Sequence, residues 1–84
     1  MEILKNPTTV KSMAVQINTA CDNYISLKLT EKQLKELIAY YASKHGKKLF
    51  AQGGLNPTIA NRIGKKRAEL VNIMLSGFQI NLLG

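Results

Sequence analysis

Residues 29–46 read LTEKQLKELIAYYASKHG, and this stretch decides the fold class. Thr30-Glu31-Lys32-Gln33 is a capping box: the Thr30 hydroxyl takes the Gln33 N–H, and the Gln33 side chain reaches back to the Thr30 N–H. Leu29 before the cap and Leu34 after it form a hydrophobic staple. Leu34, Leu37, Ile38, Tyr41 and His45 then share one helical face. Gly46 offers a left-handed cap at the end. A helix this well bounded makes an all-α fold the first expectation for a chain of 84 residues.

Working outward, two further starts share one chemistry. Asn6-Pro7 and Asn56-Pro57 each place an N-capping side chain before a proline, which suits the first helical position because its missing N–H would lack a partner. After Pro7, Val10, Met13, Ala14, Ile17, Cys21 and Tyr24 recur at helical spacing. After Pro57, Ile59, Ile63, Leu70, Val71, Met74 and Leu75 do the same, interrupted by Gly64. Either one helix runs through Gly64, at about 1 kcal/mol relative to alanine, or two helices meet there. Residues 46–54 read as a linker anchored by Leu49-Phe50. Phe78, Ile80 and Leu82 alternate with polar residues, as do Ile25, Leu27 and Leu29, which is the period of a strand. The expectation is one domain over residues 1–84, with three or four helices and room for one minor short strand pair. Its buried core is read as Met13, Ile17, Cys21, Leu34, Leu37, Ile38, Tyr41, Ile63, Leu70 and Met74.

Apolar residues make up 45% of the chain, enough for a core and against wholesale disorder. That core is thin, so a partner or a second copy would add stability that matters. A single cysteine excludes an internal disulfide framework and fits a reducing, cytoplasmic setting. The N-terminus lacks a signal-peptide pattern. No stretch reaches the roughly 20 apolar residues that span a bilayer.

The net charge of +7 is unevenly placed. Residues 1–29 and 30–46 carry +1 each, and residues 47–84 carry +5. No acid lies between Glu36 and Glu69. Lys44, Lys47, Lys48, Arg62, Lys65, Lys66 and Arg67 fall in that interval. Such one-sidedness attracts a polyanion or an acidic protein surface. The bland alternative, a solvated helix face, stands beside it. Three consecutive cations at 65–67 span too much of a helix circumference to form one stripe.

Enzyme chemistry finds no constellation in the sequence. His45 has no metal-ligating neighbour and suits the negative end of its helix. Cys21 lies on an apolar face without a base. Gly46-Lys47-Lys48 and Gly64-Lys65-Lys66 lack the spacing of a phosphate-binding glycine loop. Glu31 and Glu36 fall on the solvent side of their helix. The expectation is a non-catalytic protein without metal or cofactor. Tyr40 is placed as a half-buried aromatic, or as a stacking surface near Lys44.

Residues 59–73, IANRIGKKRAELVNI, resemble the core of helix-turn-helix DNA-binding proteins. Ala60 stands at the small position, Gly64 at the turn, and Ile59, Ile63, Leu70 and Ile73 at the apolar places; Lys65 departs from the apolar residue usual after the turn. The resemblance covers about a fifth of the chain. It implies a supporting helix at 57–63 and a reading helix at about 67–76, with Arg67 at the groove-facing start and Asn72 reaching a base or a phosphate. The overall layout is also similar to small uncharacterised proteins of Firmicutes and their phages, a likeness that implies size and origin but no activity. Two functions follow as expectations. One is nucleic-acid binding, DNA or RNA, through Lys44, Lys47, Lys48, Arg62, Lys65, Lys66, Arg67 and Asn72. The other is a small adaptor or inhibitor that uses the same cations on an acidic protein surface. The apolar residues of 70–83 exceed a narrow stripe, which leaves a homodimer through that segment as a further expectation.

Overall fold

The computed structural model describes residues 3–51 and 54–83, with side chains as far as Ser76 in the last helix. Four helices of seven residues or more surround one core, with a short helical turn and a minor hairpin between the second and third of them. The elements run α1 (Val10–Ile25), α2 (Glu31–Lys44), α3 (Gly46–Leu49), β1 (Phe50–Ala51), β2 (Gly54–Leu55), α4 (Pro57–Ile63) and α5 (Lys65–Leu83). Helix α1 packs along α4, and α2 packs along α5.

Helix α2 forms as its sequence dictates. Gln33 N–H donates to Thr30 Oγ1 at 3.1 Å, and Thr30 N–H donates to Gln33 Oε1 at 2.9 Å. Its end differs from expectation. His45 is the C-cap, and Gly46 opens α3 instead of adopting a left-handed cap. Leu34, Ile38 and Tyr41 are buried, but Leu37 is only half-buried, at the edge of the face. Leu70 is likewise half-buried, and Val71 takes the core position beside it.

Helix α1 starts three residues after the proline. Thr9 is the N-cap, its Oγ1 accepting from Ser12 N–H at 2.9 Å. Asn6 is unavailable as a cap because its Oδ1 accepts the Tyr40 hydroxyl at 3.0 Å and lies 3.0 Å from His45 Nε2. Pro7 is buried. The Tyr41 hydroxyl donates to the Leu4 carbonyl. The N-terminal segment is thus tied across the far half of α2. The helix ends in a Schellman motif, with Lys28 N–H on Asn23 O and Leu27 N–H on Tyr24 O. Leu27 occupies the left-handed position of that motif with φ 67°, where a non-glycine residue costs roughly 1 kcal/mol.

The strand expectation is corrected in place, not in kind. Ile25 closes α1, Leu27 lies in the turn, and residues 78–82 belong to the helical span of α5. The side chains of Phe78, Ile80 and Leu82 lie outside the described residues. The pair that does form is antiparallel, Phe50 opposite Leu55 and Ala51 opposite Gly54. It extends into Asn56 N–H donating to Leu49 O at 2.7 Å. The segment read as a linker is therefore ordered around Leu49, which is 0% exposed.

Asn56 caps α4 as expected, accepting from Thr58 N–H at 2.9 Å. Its Nδ2 also donates to Lys48 O at 3.2 Å, so one side chain joins α3 to α4. The chain breaks at Gly64, with φ 90° and ψ 162°, a region open essentially to glycine alone. Two helices meet there, separated by that single residue; the helix-turn-helix reading placed the turn over 64–66.

Candidate nucleic-acid interface

The structure divides the candidate cations into two groups at opposite ends of α4. Lys44 lies in the last turn of α2, with Lys47 and Lys48 just beyond it in α3. The Lys48 carbonyl meets Asn56 at the start of α4. Arg62 lies in the last turn of α4, and Lys65 and Lys66 open α5. Seven residues of α4 set the groups about 10 Å apart along its axis. Lys44, Lys47, Arg62, Lys65 and Lys66 are exposed, and Lys48 is half-buried.

The helix dipoles separate these residues further. Lys44, Arg62, Lys47 and Lys48 sit in last turns, where a cation meets the negative end of its helix and stabilises it. Their positions have an internal cause. Lys65 and Lys66 sit in the first turn of a helix of 19 residues, at its positive end, with no acid in that turn. Gly64 before them has no side chain with which to cap the free N–H groups. The arrangement is unfavourable within the chain and favourable for an anion outside it. A shallow depression of about 460 Å³ opens beside it, lined by Asn61, Lys65, Glu69 and Asn72. Asn72 is exposed there, and Glu69 sets one negative charge at the edge.

Arg67 is placed differently from expectation. Its Nη2 and Nε donate to Asp22 Oδ1 at 2.6 and 2.9 Å, and its Nη1 donates to Ile63 O at 3.2 Å. One guanidinium therefore ties the last carbonyl of α4 to α1, from the first turn of α5. Spacing gave no warning of this, since Asp22 is 45 residues away. The pair is half-exposed, so it contributes modestly. We expect Arg67→Ala to lose roughly 1 kcal/mol in a denaturant melt, and Asp22→Ala to lose about as much. The double variant should lose less than the sum of the two. Strict additivity would show that the two side chains do not interact.

The remaining candidates resolve structurally. Tyr40 is half-buried, with its hydroxyl on Asn6 and Lys5 Nζ 5.2 Å from its ring centroid, so it is not an open stacking face. His45 packs edge-on to both Tyr40 and Tyr41. Burial pushes the Cys21 thiol up to about 11, against a smaller lowering from Arg67, so it is protonated at neutral pH. Burial also raises Tyr41, to about 12. Among the described residues no three of His, Cys, Asp and Glu converge on a metal position. Among them, too, no helix is long and apolar enough to cross a membrane.

Residues 4–76 match the profile of a family described as a conserved hypothetical protein, and the chain belongs to that family. No curated protein and no solved structure matched.

Proposed function

We propose that this protein is a non-catalytic binding module that grips the phosphates of a nucleic acid at the α4–α5 corner. The observation that carries the reading is the pair Lys65 and Lys66, exposed at the positive end of α5 without a compensating acid in its first turn. Arg62 and the Lys44, Lys47, Lys48 group extend the contact along the backbone. The order α4, Gly64, α5 matches that of a supporting and a reading helix. Arg67, held by Asp22, fixes the corner, and Asn72 is the exposed side chain on α5 suited to an adenine edge.

Binding to labelled duplex DNA, single-stranded DNA and RNA at two salt concentrations tests this. Affinity should fall with salt, with a logarithmic slope of about −0.9 per phosphate neutralised on duplex. Lys65→Ala and Lys66→Ala should each weaken binding equally for all sequences and flatten that slope by about one unit. The same variants should melt no lower than wild type, because they relieve the helix end. Loss of binding with a gain in stability separates a phosphate contact from a solvated lysine. The reading fails if no nucleic acid binds even at low salt while these lysines are needed to retain a stoichiometric protein partner. That result would establish the adaptor.

A further inference from the structure

Glu69 is the odd residue of the α4–α5 corner. It is the one acid between residue 37 and the end of the chain, and it is exposed. No contact within the chain accounts for it. The first turn of α5 holds no acid, so Glu69 lies past the reach of the positive helix end. Lys65, four residues before it, stands in the weaker order for a helical ion pair. Among the described residues the ion pair that forms is Arg67 with Asp22. A carboxylate accepts hydrogen bonds and donates none, so at a phosphate-binding corner it repels the ligand unless it meets a donor. Asn72, three residues on, shares its side of α5. Both line the depression of about 460 Å³, with Asn61 of α4 and Lys65.

We infer, building on the nucleic-acid reading, that Glu69 and Asn72 read two neighbouring base pairs in the major groove of duplex DNA, Glu69 accepting from the amino group of a cytosine and Asn72 pairing with an adenine. Phosphate oxygens, guanine O6 and N7 and thymine O4 only accept, so they repel a carboxylate; the cytosine N4 and adenine N6 amines donate into the major groove. Asn72 offers a donor and an acceptor together, the match for adenine N6 and N7, which leaves cytosine for Glu69. The spacing agrees. Three helical residues advance about 4.5 Å along α5, and successive base pairs stack about 3.4 Å apart. Lys65, one turn before Glu69 on the same depression, meets the phosphate beside the groove. The class of nucleic acid follows from the same geometry. The major groove of B-form DNA admits a helix, while that of A-form RNA is too deep and narrow for side chains to read. Glu69 thus acts as a filter: it lowers affinity for duplex in general and raises it for the matching base pair.

Selection of duplexes from a random-sequence DNA pool by the full chain at low salt, followed by anisotropy titrations of a selected and a scrambled duplex, tests this. The selected duplexes should share a cytosine and an adenine in adjacent base pairs. Glu69→Ala should bind the scrambled duplex more tightly and the selected one more weakly, so the ratio between them falls about 5–150-fold. Asn72→Ala should lose the adenine preference and keep that for cytosine. Both side chains are exposed, so both variants should melt as the wild type does. A carboxylate with no base partner gives another result: Glu69→Ala then tightens both duplexes equally, which overturns the inference and leaves the phosphate grip standing. A pool that yields no shared sequence, or tighter binding to duplex RNA than to duplex DNA, overturns it in the same way. If no nucleic acid binds even at low salt, the phosphate grip falls and base reading falls with it.

Discussion

Leu49→Ala is expected to remove 2–5 kcal/mol of stability, the loss typical of a fully buried leucine cut to alanine, at about the upper part of that range if the cavity cannot collapse. Leu49 is 0% exposed and sits where α3 meets both α1 and α2. Its carbonyl also anchors the hairpin through Asn56 N–H. Against a total stability of roughly 0.05–0.15 kcal/mol per residue, such a loss leaves little folded protein at room temperature. A urea melt followed by circular dichroism reads it directly. Leu37→Ala is the control, because Leu37 is half-buried at the edge of its helix face and should lose clearly less. Equal losses from the two variants would show that the core is centred elsewhere.

The second large effect is a change of sign at Gly64. In a continuous helix, glycine to alanine adds about 1 kcal/mol. At φ 90° and ψ 162° the same change should instead remove about 1–3 kcal/mol. A Cβ there meets nothing within 4 Å, so the loss comes from the backbone alone and not from a clash with a neighbour. D-alanine, introduced by chemical synthesis, accepts positive φ and should restore most of the stability. If L-alanine stabilises the protein, the chain runs straight through residue 64 and the two-helix corner does not exist.

The α4–α5 corner shows how far local chemistry reaches. Asn56-Pro57 acts within one turn, so the start of α4 is legible along the chain, while the glycine seven residues after Pro57 reads only as an interruption that a continuous helix could also carry. The run Lys65-Lys66-Arg67 is legible only as charge. The sequence treats its three members alike, whereas the fold leaves two at an unfavourable helix end and ties the third to Asp22. That distinction depends on α1 and α4 packing together, and no spacing rule contains it.

The same division holds for the whole molecule. The sequence by itself determined α2 through its capping box, the apolar face of Met13, Ile17 and Cys21, and the start of α4. In each case the deciding groups lie within one or two helical turns of one another. At Gly64 the sequence left a continuous helix and a break both open, and the backbone at φ 90° decided for the break. Tertiary structure alone decided the start of α1, because Asn6 is taken by Tyr40 and His45, 34 and 39 residues away. It decided the burial of Leu49 in a stretch that reads as linker, and the half-exposure of Leu37 in one that reads as core. The helical span of α5 also includes residues whose alternation reads as a strand. Local propensity is worth tenths of a kcal/mol per residue, while packing an apolar side chain is worth about ten times that, so packing prevails wherever the two disagree.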